Sequence, residues 1–411
     1  MNINNFIGVS EKSAVKYFSK KSVNHHIKGG TKMTQEIKKE RNYGIDLLRM
    51  LSMFMVCILH ILEQGGVIGA SKTLSAQYET AWFLDIAAFC AVNCFALISG
   101  YVCIDAKYKY SNGIMLYLKV IFYALAVTAV FAFIKPKTVG AGEWVKAFFP
   151  VMTYQYWYFS CYVVLFFLIP LLNMGINALS KKQLKVVLIG LIALFSFLQT
   201  GFKHVLLDAF WQDECGEIFN TAEGYSPIWI IVLYIIGAGL KKTGFFEKIS
   251  VKKALAGFIL AALITWGFKY VIQYRALKVS GENRWEMMYF SGRLANYISP
   301  TILFEAVFLL AVFEKIRLPE FLKKLVKIAS PAAFSVYLIH VHQLIWIHVI
   351  TDRFARFAKL SAPLLALAVI GTALGIYTVC SIIDILRALL FKALKLKQLV
   401  SKIDGLQKTT D

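Results

Sequence analysis

From residue 44 onward the chain alternates between long apolar segments and short polar connections. A helix needs about 20 apolar residues to cross the hydrocarbon core of a bilayer. Ten such segments are present, at residues 44–65, 80–103, 113–134, 155–178, 184–201, 226–240, 251–273, 296–314, 331–350 and 361–391. The sixth is short and the last is long, which favours a tilted or a broken helix there. The pattern predicts an all-α fold, a polytopic membrane bundle of about ten transmembrane helices.

Composition and charge support an integral membrane protein. The 411 residues are 58% hydrophobic and 15% aromatic, and the mean hydropathy is +0.61, whereas a soluble domain needs a largely polar surface. The formal net charge of +21 comes from Lys and Arg residues that are spread over the loops flanking the apolar segments. We therefore expect anionic membrane lipids, and not nucleic acid, as the partners of these residues.

The positions of Lys and Arg also predict the orientation, since positive residues stay on the cytoplasmic side. They favour both termini inside and the acidic loop at 201–225 outside. Residues 1–40 are then a basic cytoplasmic tail, predicted to be disordered and with Met33 as an alternative start, 41–391 are the membrane domain, and 392–411 are a second basic tail. Lysine-rich loops of this kind favour a bacterial plasma membrane.

The first apolar segment contains charges that lipid does not favour. Within "GIDLLRMLSMFMVCILHIL", residues 44–62, the ionisable residues are Asp46, Arg49 and His60. Eleven helical residues place Arg49 and His60 about 20° apart around the axis and roughly 16 Å apart along it, on one face. Asp46, three residues before Arg49, can pair with it. Either Arg49 snorkels to the headgroups and His60 bonds a neighbouring helix, or the pair forms a functional site, the default for ionisable residues inside a membrane.

A second group of polar residues lies in the ninth segment, "SPAAFSVYLIHVHQ" at residues 330–343. Tyr337 and His340 are three residues apart and share a helix face, whereas His342 points elsewhere because two residues turn a helix by about 200°. His340 is near the middle of its segment, at a depth where His60 could meet it. A haem or metal site would need further ligands, and none is apparent, so we expect no metal.

Several other polar residues lie inside apolar segments. They are Asp85, Asn93, Lys119, Lys269 and Glu305. Glu305 is the most informative, because an unpaired carboxylate in mid-span costs several kcal/mol; the alternative is that it pairs with a buried lysine or with Arg49. Aromatic residues open the fourth segment, "YQYWYFSCYVVLFFLIPLLN" from Tyr154. Such clusters are typical of interfacial belts that anchor a helix.

With these residues the chain resembles the acyltransferase 3 family of polytopic membrane acyltransferases. The resemblance covers the chain from about Arg41 to Phe391 and rests on four elements in order: "GIDLLRMLSMFMVCILH" with its Arg-x10-His spacing, "NCFALISGYV", "YWYFSCYVVLFFLIPLL" and "FSVYLIHVHQ". Each is weak alone, but the four in order on a ten-span chain are specific. The proline often found just after the family's "YLIH" element is replaced here by His342 and Gln343.

The resemblance implies transfer of an acyl group, usually acetyl from cytoplasmic acetyl-coenzyme A, to a hydroxyl or amine of a carbohydrate or lipid-linked glycan handled at the outer face. It is closest to the stand-alone kind, which acts on cell-surface carbohydrate. The paired arginine and histidine of the family carry over to Arg49 and His60. Arg49 is expected to bind the donor, together with Asp46, Ser99 and Trp157.

We expect His60 to act as general base, since an unperturbed imidazole titrates near neutral pH. Tyr337 and His340 then orient the acceptor or stabilise the oxyanion, or His340 itself is transiently acylated. A rival function is a transporter or flippase of a lipid-linked sugar, which would use the buried charges to bind a pyrophosphate headgroup. A glycan ligase or polymerase is a further rival, but it would be expected to have a large basic external loop.

Overall fold

The structure, a computed structural model, describes residues 41–207, 219–279 and 291–406. Throughout these residues the secondary structure is helical, and they contain no β-strand. The predicted tail 1–40, residues 208–218 of the predicted external loop and the last residues, 407–411, lie outside the described residues.

Long helices joined by short turns make up the described chain. Those of eight residues or more are α1 (Tyr43–Leu62), α2 (Ala76–Phe89), α3 (Ala91–Cys103), α4 (Tyr110–Ile134), α5 (Ala141–Phe148), α6 (Trp157–Ala178), α7 (Lys181–Ile192), α8 (Pro227–Thr243), α9 (Val251–Val279), α10 (Pro300–Lys315), α11 (Glu320–Ala329), α12 (Ala333–His340) and α13 (Ala362–Ala393). α7 continues as a π-helix over Ala193–Leu207. Shorter helical turns lie at Val67–Ala70, Pro136–Thr138, Ala222–Gly224, Phe246–Lys248, Gly292–Leu294, Ser330–Ala332, Gln343–Ile345, Trp346–Ile350, Ala355–Lys359, Leu396–Ser401 and Ile403–Leu406.

Each apolar segment predicted from the sequence contains a helix. Among the described residues, seven helices are long and apolar enough to cross a membrane, and a bent pair raises this number to eight. α8 and α10 have 17 and 16 residues, fewer than the about 20 that a hydrocarbon core requires. The all-α membrane bundle is therefore confirmed, while the exact number of spans stays a prediction.

Segment length suggested a tilted or a broken helix in the sixth and the last apolar segment, but the helices are interrupted in other segments. α13 is one continuous helix of 32 residues, so its length is accommodated in a bilayer by tilting and not by a break. α2 and α3 are instead separated at Cys90, and the ninth segment bends by 62° between His340 and Gln343. His342 begins the new helical turn by accepting a hydrogen bond from the backbone N–H of Leu344 at 3.3 Å. His340 is thus the last residue of its helix.

The start of α1 is fixed by a side-chain cap and by close packing. Asn42 accepts hydrogen bonds from the backbone N–H groups of Gly44 and Ile45 at 3.0 and 3.3 Å, as N-cap residues do. Its amide also donates to the carbonyl of Glu314 in α10 at 2.9 Å. A Cβ at Gly44 would overlap the carbonyl oxygen of Phe313, so glycine is what lets the two helices approach. These contacts fix the position of α1 against α10.

α3 and α8 pack through two glycines. A Cβ at Gly100 would overlap the carbonyl oxygen of Tyr234, and one at Gly237 would overlap that of Leu97. Small residues at a helix interface bring two backbones together in this way in membranes. Gly100 of the "ALISGY" element therefore has a packing role, and it holds α3 behind the site described next.

Candidate active site

One face of α1 borders an internal cavity of about 50 Å³. The residues that line it come from α1, α3, α6, α12 and the loop before α10, and they are Met53, Val56, Leu59, His60, Val92, Phe95, Trp157, Tyr158, Tyr297, Phe334 and Tyr337. α1 is continuous between Tyr43 and Leu62, so the predicted alignment of Arg49 with His60 holds. Arg49, Met53, Val56 and His60 form a stripe along α1 with steps of three or four residues. Met53, Val56 and His60 line the cavity, and Arg49 continues the stripe beyond it.

His60 and His340 meet in the centre of the bundle. The Nδ1 atom of His60 lies 2.9 Å from Nε2 of His340, with ring centroids 5.0 Å apart. Trp346, just beyond the bend, packs edge-on against His60 with its ring centroid 4.6 Å away. The predicted meeting of the two histidines at one depth is confirmed.

The backbone fixes which nitrogen of each ring carries a proton. Nδ1 of His340 bonds the carbonyl oxygen of Val336, and a carbonyl can only accept, so this nitrogen carries the proton. In a neutral ring Nε2 of His340 is then an acceptor, and Nδ1 of His60 must donate to it. Nε2 of a neutral His60 is left with a free lone pair, and none of the described residues bonds it.

Arg49 and Asp46 form the predicted ion pair. Nη1 of Arg49 lies 2.6 Å from Oδ1 of Asp46, and the two side chains are 33% and 6% exposed. Arg49 also lies within electrostatic reach of Tyr158 and Tyr162 in α6. Tyr158 lines the cavity that contains His60 as well, so it connects the two ends of the stripe.

The family model that describes an acyltransferase domain, Acyl_transf_3, matches residues 42–383. The chain belongs to the acyltransferase 3 family. No curated protein and no solved structure matches the chain. The matched range starts at the capping residue of α1 and includes the Arg49 to His60 stripe and His340. Together with its apolar helices, the match makes the protein a multi-pass membrane acyltransferase, and it counts against the transporter and the ligase.

Tyr337 and Trp157 of this acyltransferase lie in the wall of the cavity. The sequence predicts that both belong to the site. The ring of Tyr337 is 5.9 Å from that of Phe334. Trp157 packs against Tyr225 and Tyr297, with ring centroids 4.7 and 6.0 Å away. Trp157 therefore belongs to the His60 end of the cavity, and its predicted part in donor binding stays a prediction.

Three of the other candidates do not line the cavity of the acyltransferase. Ser99 donates to the carbonyl of Phe95 in its own helix at 2.9 Å. Lys119 donates to the carbonyl of Pro331 at 3.1 Å. Glu305 is 0% exposed, and within the part of the chain that the structure describes neither of its carboxyl oxygens has a hydrogen-bond partner.

The partners that the sequence suggested for Glu305 are engaged elsewhere. Lys269 lies 3.0 Å from Glu79, and Arg49 binds Asp46. Glu305 instead lies beside Cys90 and Cys94, at the break between α2 and α3. Among the described residues, no three His, Cys, Asp or Glu side chains lie together in a way that could hold a metal ion.

The sequence also contains a signal for a further residue near the site. Glu63 follows His60 by three residues and continues the same stripe, although it follows the last residue of α1. Tyr158 belongs to an aromatic cluster of the kind that is typical of a lipid interface. Only the tertiary packing shows that Tyr158 lines the cavity instead. No pattern in the sequence indicates the contact of Trp346 with His60, because this contact depends on the bend after His340.

Proposed function

We propose that this membrane acyltransferase moves an acyl group, in the simplest case acetyl, from cytoplasmic acyl-coenzyme A to a hydroxyl of an envelope or exported carbohydrate. The observation that carries the proposal is the His60–His340 hydrogen bond at the wall of the cavity, which leaves Nε2 of His60 as a proton acceptor. Acyl transfer from a thioester to a hydroxyl needs such a base in a site that excludes bulk water.

His60 would take the proton of the attacking hydroxyl on Nε2. The hydroxyl oxygen then bonds the carbonyl carbon of the thioester, the carbon–sulfur bond breaks, and the departing thiolate takes the proton back from His60. The products are an ester and free coenzyme A. His340 holds the His60 ring in the required tautomer and accepts the hydrogen bond that strengthens as His60 becomes an imidazolium. His340 is a positioning residue in this scheme, not an acylated intermediate.

Arg49 would bind the donor at the other end of the stripe. Its guanidinium is one-third exposed and uses only part of its donor fork on Asp46, so it can bind a phosphate as well. The side chains between Arg49 and His60, Met53 and Val56, are apolar and suit an extended pantetheine arm. The roughly 16 Å along α1 between Arg49 and His60 matches such an arm in length.

The tyrosines of the cavity are the candidate donors to the oxyanion. Tyr158 and Tyr337 both line it, and a phenol hydroxyl can donate to a developing negative charge. A cavity of about 50 Å³ holds no more than a few water molecules. Substrate entry therefore requires aromatic rings in its wall that lie outside the Trp157 side, those of Tyr158 and Phe334, to rotate aside.

The test is transfer of labelled acetyl from acetyl-coenzyme A to envelope carbohydrate in bacterial membranes that contain the protein. We expect label with the wild type and with His348→Ala, a matched histidine that packs on Phe131, and none above background with His60→Ala. Equal expression and equal thermal unfolding of the three proteins in detergent provide the control. Full transfer by folded His60→Ala would remove His60 from the chemistry, and no label with the wild type would remove the proposed reaction.

A further inference from the structure

Three aromatic rings gather just beyond His60. The ring centroids of Trp157 and Tyr225 are 4.7 Å apart, those of Tyr225 and Tyr297 are 4.9 Å apart, and those of Trp157 and Tyr297 are 6.0 Å apart. Trp157 and Tyr297 also line the cavity that contains His60. Tyr225 is 42% exposed, so this aromatic trio reaches from the cavity to the surface.

The trio is held in position by the backbone around it. Gly224 has φ +101°, and a Cβ there would overlap Cβ of Tyr297, so glycine allows the turn to press Tyr225 onto Tyr297. The carbonyl of Tyr297 accepts from Nδ2 of Asn93 at 2.8 Å. The carbonyl of Tyr225 accepts from the hydroxyl of Tyr154 at 2.9 Å. Rings fixed in this way lose little entropy when a ligand binds.

Two carboxyl groups lie beside the trio. Glu63 is exposed and lies one helical turn beyond His60. Asp85 is 0% exposed, and neither of its carboxyl oxygens has a hydrogen-bond partner among the described residues. Both carboxyl groups are within electrostatic reach of Tyr225 and Tyr297. An unpartnered buried carboxyl group is costly to a fold, and a ligand that donates hydrogen bonds would remove that cost.

We propose that the aromatic trio of Trp157, Tyr225 and Tyr297, with Glu63 and Asp85, binds the sugar ring of the acceptor. The proposal rests on the proposed function and names the acceptor subsite of the same cavity. An aromatic face covers the apolar C–H face of a pyranose, and carboxylates, which only accept, bind its hydroxyls. A uronic acid would bring a third carboxyl group beside Glu63 and Asp85, so the subsite takes a neutral or an amino sugar. Trp157 and His60 line the same cavity, so a sugar on Trp157 lies in the cavity of the proposed base.

The test measures sugar binding by tryptophan fluorescence, with the full-length protein in detergent and without acyl-coenzyme A. The probes are methyl α-glucopyranoside, glucosamine and glucuronate. We expect a saturable change at millimolar concentrations of the first two and at least tenfold weaker binding of glucuronate. The change should disappear in Trp157→Phe, which keeps an aromatic ring but loses the indole, and should persist in Trp144→Phe, whose indole packs on Phe148 outside the site.

Two further variants separate the subsite from general effects on the fold. Asp85→Asn should raise the half-saturating sugar concentration about tenfold, because the amide has one acceptor oxygen in place of the two oxygens of the carboxyl group. Tyr274→Ala, on an exposed tyrosine of α9, should leave it unchanged. The absence of a saturable change with all three sugars, or a change that persists in Trp157→Phe, would overturn the subsite. Sugar binding by a protein that transfers no acetyl would keep the subsite and remove the proposed function, and transfer without sugar binding would do the reverse.

Discussion

Two polar side chains of α12, Ser335 and His340, have opposite surroundings. Ser335 donates to Asp384, which also accepts from Tyr123 at 2.8 Å and from Arg387 at 2.8 Å. His340, five residues later on the same helix, bonds His60 and leaves a nitrogen lone pair of that partner directed at no group of the described residues. The charge of Asp384 is paired and hydrogen-bonded within the chain, whereas the His60–His340 pair retains an unused acceptor nitrogen at the cavity.

This difference separates a structural polar cluster from a chemical one inside a membrane. Lipid offers no hydrogen bonds, so a charge that only supports the fold must find all of its partners in the protein. Asp384 has done so, and Lys119 adds a further positive charge near it. A site that must bind and release a proton keeps one position open. His60 meets that condition, and substitutions of Asp384, His340, Arg49 and Ser99 test the distinction.

Asp384→Ala should have the largest effect, and on stability. It leaves Arg387, whose side chain is 10% exposed, without its buried partner, and breaking such a pair costs about 3–5 kcal/mol. Thermal unfolding in detergent measures the loss, with Asp384→Asn as the milder variant, since its amide oxygen still accepts from Tyr123 and Ser335. A folded Asp384→Ala protein of normal stability that transfers no acetyl would move Asp384 to the chemical class and break the comparison.

His340→Ala should reduce kcat about 100-fold, within the range for loss of a positioned proton-transfer group, and should cost less stability than Asp384→Ala because it leaves no buried charge unpaired. Without His340 the His60 ring loses the acceptor that fixes its tautomer. His340→Gln can offer an amide oxygen to Nδ1 of His60 and should recover part of the rate, about tenfold below the wild type. The measurement is single-turnover acetyl transfer over a range of pH. Equal loss in both variants would show that His340 has a role beyond accepting one hydrogen bond.

Regularities within one helix were predictable from the sequence, and contacts between distant segments were less so. The spacing of Arg49 and His60 fixed their shared face, because a continuous helix permits only one arrangement. The depth of His340 within its segment predicted its contact with His60. The bend after His340 was not predictable, since no proline or glycine lies there. Likewise, the packing of Tyr225 on Trp157 depends on a loop that carries no periodic signal.

Arg49→Lys should have a moderate effect, on donor binding. Lysine keeps the charge but loses the planar fork that can bind Asp46 and a phosphate together, so we expect the KM for acetyl-coenzyme A to rise about tenfold with kcat within about twofold. Kinetics at varied donor concentration give both values. If the donor KM is unchanged, the ion pair of Arg49 with Asp46 is structural, like that of Asp384. His60 would then be the one residue of the stripe with a role in the reaction.

Ser99→Ala should have the smallest effect. The hydroxyl of Ser99 donates to a carbonyl of its own helix, a bond that a membrane helix loses at little cost, so the donor KM should change less than about twofold. The neighbouring Gly100→Ala is the matched contrast, because its Cβ would overlap the carbonyl of Tyr234 and should lower the unfolding temperature. A clear rise of the donor KM in stable Ser99→Ala protein would restore Ser99 to the donor site and extend that site from α1 across to α3.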